Sequence, residues 1–295
     1  MSDVKIVEVG PRDGLQNEQV ILSVDIRAQL VRRLAATGIR TLEAGSFVRA
    51  DKIPQMALSN LVCEQIRDVP NLRTIWLTPN LRGISDATIA GVTTTAVFIA
   101  ASNEFNLRNI NSSTEQALAN AHEVIEAART QGILVRGYVS TIAGCPYQGE
   151  VGVGAVIELV RELLNFGCYE ISLGDTIGVG TPRRIRALLQ SISKEVDLSK
   201  IAFHGHDTYG MGVANALSAI DCGVRTIDTS IGGLGGCPFA GPGAKGNTAT
   251  EDLVYALGAD GFESEIDLDG LVATSWWLSS MTNHPPRSLV AHARK

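Results

Sequence analysis

Long apolar runs are missing from this chain of 295 residues. None approaches the roughly 18 consecutive apolar residues of a membrane-spanning helix. The N-terminal stretch Met1-Ser2-Asp3-Val4-Lys5 has neither the apolar core of a secretory signal nor an Arg-rich transit pattern. Basic runs are also absent, as are aromatics interleaved with basic residues, and the net charge is −6. Nucleic-acid binding is therefore not expected. Cysteine is scarce: Cys63, Cys145, Cys168, Cys222 and Cys237 are odd in number and show no CxxC spacing. They read as reduced thiols, at most one of them chemical. A soluble, cytoplasmic protein of bacterial type is expected, with no nucleic-acid or membrane partner. A homodimer is compatible with the sequence.

What is present is periodic. The chain is 45% hydrophobic and 19% charged, enough for one large core. Short β-rich runs fall at Lys5–Val9, Thr41–Phe47, Thr74–Thr78, Thr95–Ala100, Leu134–Ser140, Tyr169–Leu173, Ile201–His206 and Thr226–Ile231. Amphipathic helical patterns separate them, such as Ser23–Thr37 and Gly154–Phe166. Ser112 with Glu115 reads as a capping box, and Thr181-Pro182 places proline at a first helical position. Gly38, Gly132, Gly167 and Gly223 each follow a helix and precede a strand, as C-terminal caps do. Eight strand–helix units with short connections predict a (β/α)8 TIM barrel, an α/β fold, over residues 1–295 as a single catalytic domain. Extra helices are expected near Thr248–Leu257 and Leu268–Ser280. An open doubly wound sheet is the alternative.

In such a barrel the chemistry sits where strands end, so ionisable residues at strand ends are the candidates. The run Ala202-Phe203-His204-Gly205-His206-Asp207-Thr208 carries two histidines at i and i+2, which in a strand share one face and can chelate a metal. Taken alone, such a pair is as readily two histidines satisfied in a core. Arg12 and Asp13 follow the first strand, Glu43 ends the second, Asp175 follows the sixth, and Gly232-Gly233-Leu234-Gly235-Gly236-Cys237 follows the eighth. Charge in otherwise apolar strands is costly to bury unless paired or metal-bound. Each residue also has a structural alternative: Asp13 a turn cap, Arg12 and Glu43 an ion pair, Asp175 an N-cap. Cys63, Cys168 and Cys222 fit small buried hydrophobes. Cys145 and Cys237 both follow strands, and the glycines around Cys237 favour it as a thiol delivered by a mobile loop. Asn247 is either a helix cap or an oxygen ligand.

The strings GPRDGLQNE, EAGSFV, NINSS, VRGYVST, GCPYQG, GCYEISLGDTIGVGTP, HGHDTYG, GLGGCPFA and GNTATEDLVY resemble the hydroxymethylglutaryl-CoA lyase family of metal-dependent TIM barrels. The resemblance runs from about Val4 to Leu257 and is weak over the C-terminal segment. It implies cleavage of 3-hydroxy-3-methylglutaryl-CoA to acetyl-CoA and acetoacetate, with a divalent cation, Mg²⁺ or Mn²⁺, held by Asp13, His204, His206 and Asn247. It further implies a catalytic group of Cys237, Arg12, Asp175, Glu43 and His204. Arg12, Glu43, Gln16, Ser46 and Thr176 would contact the acyl-CoA substrate. Two histidines alone admit Zn²⁺ or Mn²⁺; the carboxylate and amide oxygens, with the resemblance, favour Mg²⁺ or Mn²⁺.

Two departures from the family pattern stand out. Cys237 to Asn247 spans one residue more than the family's spacing, through Ala240-Gly241-Pro242-Gly243. Gly45 stands where the lyases commonly carry threonine, and Arg49-Ala50-Asp51-Lys52 replaces the usual Ser-Pro-Lys. Both of these substitutions are expected to flank the substrate pocket, which keeps a larger branched ester such as isohexenylglutaryl-CoA as an alternative. A Claisen-type synthase joining acetyl-CoA to a 2-oxo acid shares the Arg-Asp and paired-histidine pattern but usually carries further C-terminal domains. A non-catalytic metal- or ligand-binding barrel would make Arg12, Asp13, Glu43 and Cys237 incidental.

Overall fold

Eight short runs rich in β-branched and aliphatic residues form the staves of one closed barrel in the computed structural model of the chain, which describes residues 4–236, 246–262 and 265–295. The strands are β1 (Lys5–Glu8), β2 (Thr41–Ser46), β3 (Arg73–Leu77), β4 (Thr94–Ala100), β5 (Leu134–Ser140), β6 (Glu170–Asp175), β7 (Ile201–Gly205) and β8 (Thr226–Thr229). All neighbours pair in parallel and in sequence order, and β1 closes on β8 in register from Lys5↔Thr226 to Glu8↔Thr229. That last ladder establishes the (β/α)8 barrel and excludes the open sheet, which would leave β1 and β8 apart.

Local chemistry sets the helix boundaries. Ser23 caps Val24–Ala36 by accepting the Ile26 N–H, and Thr181 caps Pro182–Ile192 by accepting that of Arg184. The expected Ser112 and Glu115 box is displaced by one residue: Ser113, in extended backbone, accepts from Gln116 N at 3.1 Å and the helix is Thr114–Thr130. Gly38, Gly132, Gly167 and Gly223 all have positive φ, so the chain reverses there at no steric cost. After the barrel come the helices Thr250–Ala259 and Leu268–Thr282, and a short Leu289–Ala293 that the periodicity did not single out.

Packing divides the apolar residues into two sets. Outward-facing strand residues such as Trp76 and Phe203 meet Leu30, Leu34, Leu163 and Leu189 from the helices in the main core. A smaller inner cluster holds Val7, Val9, Ile75, Leu77, Ala96 and Tyr138. The rest of the barrel interior is polar, with Glu43, Arg136, Ser172 and Asp228 each no more than 1% exposed. An interior built this way departs from the aliphatic layers that usually fill a barrel. Its charges must be paired, and those pairs lead to the site.

Candidate active site

At the end of β1 the chain makes a single turn of π-helix, Gly10–Gly14, which brings Arg12 and Asp13 to the mouth together. Arg12 Nη1 lies 2.8 Å from Asp13 Oδ1, and Arg12 Nη2 lies 2.6 Å from Glu43 Oε2 on β2. Burial works against the Arg12 charge, but Glu43 and Asp13 outweigh it and its pKa is raised. Burial pushes the Glu43 carboxyl up, with Arg12 opposing. Beyond Arg12 the Glu43 oxygens find no hydrogen-bond donor.

The paired histidines converge as their spacing predicts. His204 Nε2 and His206 Nε2 are 3.3 Å apart, and His204 Nε2 is 4.0 Å from Asp13 Oδ2. Asp13, His204 and His206 each offer a ligand atom within 4.8 Å of the others. Burial, with the neighbouring His204, takes the His206 pKa down to about 4, so it is a neutral donor near neutral pH. Burial disfavours the Asp13 charge as well, but Arg12 and the histidines outweigh it and hold Asp13 below its ordinary value. Asn247 completes the group: its Nδ2 donates to Asp13 Oδ2 at 2.8 Å and to Leu234 O at 3.0 Å. Its Oδ1 is buried with no partner. Two imidazole nitrogens, a carboxylate and an orphaned amide oxygen are a donor set that fits a divalent cation.

The other expected residues divide. Ser46, at the end of β2, donates its hydroxyl to Leu77 O at 3.1 Å. Thr176 Oγ1 accepts from Thr141 N at 2.8 Å. Thr141 itself holds φ 61 while fully buried, an unusual conformation for a β-branched residue. Gln16 is half-buried just past the π-turn. Asp175 is fully buried at the end of β6, and its oxygens accept the N–H groups of Val179 at 3.2 Å and Gly180 at 2.8 Å. Burial raises its pKa to about 6. The two N–H bonds are those expected of the capping alternative.

Cys237 lies outside the described residues. Gly236, next to it, accepts a hydrogen bond from Asn17 Nδ2, which ties the described end of that loop to the β1 mouth. Cys145 is buried in a separate pocket where its Sγ accepts from Ser102 Oγ at 2.9 Å and from Tyr147 N and Gln148 N at 3.4 Å. Gly45 corrects an expectation. A Cβ there would lie 2.8 Å from Ser59 Oγ and Trp76 Cζ3 and 3.2 Å from Arg27 Nη2, so the position faces the helix layer and not the mouth. Arg49 and Asp51 form an exposed ion pair beyond β2.

A second tier of charge lies below the strand ends, with Arg136 and Asp228 in mid-strand. Asp228 on β8, Arg136 on β5 and Glu170 on β6 form one buried network that reaches His204. Glu8 on β1 accepts the N–H groups of Gly10 at 2.7 Å and Ile231 at 2.9 Å, and Glu251 accepts that of Gly232. These two carboxyls hold the root of the glycine-rich run. For Arg136 and Asp228 the available signal was a charged residue in mid-strand, where burial is costly without a partner.

The fold and the site together define a class of protein: a (β/α)8 barrel with a two-histidine, one-carboxylate cluster beside a buried Arg–Glu pair at the C-terminal mouth of its strands. The sequence pattern of the HMGL-like family matches residues 3–277. The chain belongs to that family. It is 47% identical over 290 residues to the mouse 3-hydroxy-3-methylglutaryl-CoA lyase, cytoplasmic, covering 98% of this chain and 84% of that one. The crystal structure of hydroxymethylglutaryl-CoA lyase from Pseudomonas aeruginosa superposes with a TM-score of 0.96 at 43% identity, covering 99% of this chain and 97% of that one. An HMG-CoA lyase from Acinetobacter baumannii, solved with coenzyme A and 3-methylmalate, superposes with a TM-score of 0.93 at 34% identity, covering 99% of this chain and 95% of that one.

Proposed function

We propose that the protein is a carbon–carbon lyase that cleaves 3-hydroxy-3-methylglutaryl-CoA to acetyl-CoA and acetoacetate. The observation that carries this is the convergence of Asp13, His204 and His206, with Asn247 bonded to Asp13, beside the Arg12–Glu43 pair. Mg²⁺ or Mn²⁺ held by those four residues would supply Lewis acidity to the substrate's 3-hydroxyl. The remaining work belongs to the side chains. The hydroxyl proton must leave, the C2–C3 electrons must pass to the thioester as an enolate, and C2 must then be protonated.

Arg12 faces the enolate oxygen with a charge that burial does not remove, the electrostatic contribution such a cleavage needs most. Asp175, whose carboxyl burial raises to about 6, is assigned the hydroxyl proton in this reading, since Asp13 is committed to the cation and held below its ordinary value. Cys237 is assigned the role of proton donor to C2 in this reading. Gln16, Ser46 and Thr176 line the acyl-CoA side. Gly45, facing the helices, gives no reason for an acyl pocket wider than methyl. A cytoplasmic location belongs to this reading, and no helix among the described residues is long and apolar enough to cross a membrane.

The test is a panel of 3-hydroxyacyl-CoA esters incubated with the protein, Mg²⁺ and a thiol reductant, with products identified by mass. Preference for the 3-methyl ester supports the reading. Preference for a long branched ester, or condensation of acetyl-CoA with a 2-oxo acid, overturns it.

A further inference from the structure

Beneath the histidines the barrel axis is filled by charge. Arg136 grips both oxygens of Asp228, Nη1 to Oδ2 at 2.9 Å and Nη2 to Oδ1 at 2.7 Å, while its Nε reaches Glu170 at 2.7 Å. Asp228 Oδ2 also accepts from Ser172 Oγ at 2.8 Å and lies 3.3 Å from His204 Nδ1. A carboxylate inside a bidentate guanidinium is ionised and can only accept hydrogen bonds. The hydrogen between Asp228 and His204 therefore belongs to the imidazole. In its neutral form His204 then carries that hydrogen on Nδ1, which leaves Nε2, the atom nearest Asp13 and His206, as the unprotonated nitrogen. His206 has no such counterpart, since its Nδ1 is buried without a partner.

We propose that Asp228 is a positioning residue that fixes His204, and not His206, in the Nδ1–H tautomer, so that the two histidines are unequal. His204 is preset to present Nε2 before any cation arrives. Arg136, through its two-pronged contact, keeps Asp228 from turning away. The consequence for cation affinity rests on the metal reading given under Proposed function; the tautomer is a property of the metal-free chain and does not.

The experiment is ¹⁵N NMR of the histidine-labelled full chain, freed of metal by chelation, at a pH where the imidazoles are neutral, with His204 assigned by its loss in His204→Ala. The expected spectrum has His204 protonated on Nδ1 and bare on Nε2. Asp228→Asn should mix the tautomers at His204 and weaken Mn²⁺ binding by about 10- to 100-fold. Glu170→Gln disturbs the same Arg136 without touching His204 and should leave tautomer and Mn²⁺ affinity unchanged even if thermal stability falls. If Asp228→Asn does not fold, the wild-type spectrum decides alone. A wild-type His204 protonated on Nε2 overturns the proposal, as does an Asp228→Asn protein that folds and keeps the wild-type pattern. A wild-type Nδ1–H pattern, together with His204→Ala binding Mn²⁺ as tightly as wild type, upholds the positioning role and overturns the metal reading instead.

Discussion

Residues differ in how openly the sequence states their role. His204 and His206 were legible because strand periodicity alone puts i and i+2 on one face, and their rings do meet. Asp13 and Arg12 were legible as a charged pair at a strand end. Asp175 looked the same, and its carboxylate accepts two loop N–H groups from a backbone turn up to five residues on, which composition does not reveal. Arg12→Gln should lower kcat by several orders of magnitude with little change in KM, because the enolate charge it faces exists only during cleavage. Steady-state kinetics that show a large KM rise with kcat intact would make Arg12 a ground-state binding residue. Cys237→Ser should keep metal binding and lose most turnover, since a serine hydroxyl is a far weaker acid than a thiol. Cys145→Ser should cost little activity, because that sulfur is only 3% exposed and engaged with Ser102. An inactive Cys145→Ser beside an active Cys237→Ser would show the proton donor to be misassigned.

At the level of elements, strands and helices were read to within a residue or two, and the misses have local causes. Ser112 and Glu115 satisfy the capping pattern, but so do Ser113 and Gln116, and the first helical residue decides between them. Ser113→Ala should cost about 1 kcal/mol in urea unfolding, and Ser112→Ala much less. Equal costs would return the cap to Ser112. The glycine-rich run after β8 is held more tightly than its composition suggests. A Cβ on Gly246 would collide with Gly233 O and stand 2.9 Å from Arg287 Nη1, so no side chain fits. Gly246→Ala should shift the backbone next to Asn247, destabilise the chain by about 1–3 kcal/mol, and weaken Mn²⁺ binding together with stability. An alanine variant with wild-type Mn²⁺ affinity would show that Asn247 is positioned from elsewhere. Arg287 lies in the C-terminal segment where the family resemblance was weak, which is why its bond to Gly235 O at 2.9 Å was not foreseen.

Across the whole molecule, the count of eight β–α units was enough to give the barrel, because alternation with short connections leaves few topologies. What the count did not convey was the polar interior, since a single charged residue in a strand does not name its partner across the barrel. That interior makes stability depend on pH. Burial raises Glu8 to about 7 and Glu251 to about 8, both from an ordinary value of 4.5. Between about pH 4.5 and 8 the folded chain keeps protons that the unfolded chain releases, so these two groups lower stability as pH rises through that window. His206, held down to about 4 by burial, acts in the opposite sense and removes stability as pH falls from 6.5 toward 4. Calorimetry of the metal-free chain should show Tm declining from pH 7 to 8.5, with Glu251→Gln flattening the slope; a rising Tm would contradict the assignment. The most direct measurement of the central claim is stoichiometric. Protein stripped with a chelator, then resupplied with Mg²⁺ or Mn²⁺ and a reductant, is given 3-hydroxy-3-methylglutaryl-CoA, and both products are quantified. The account predicts acetyl-CoA and acetoacetate in equal amounts, formed only after the cation is restored and abolished in His204→Ala. Ester left intact with every divalent cation, or cleavage that proceeds unchanged in the stripped protein, would contradict it.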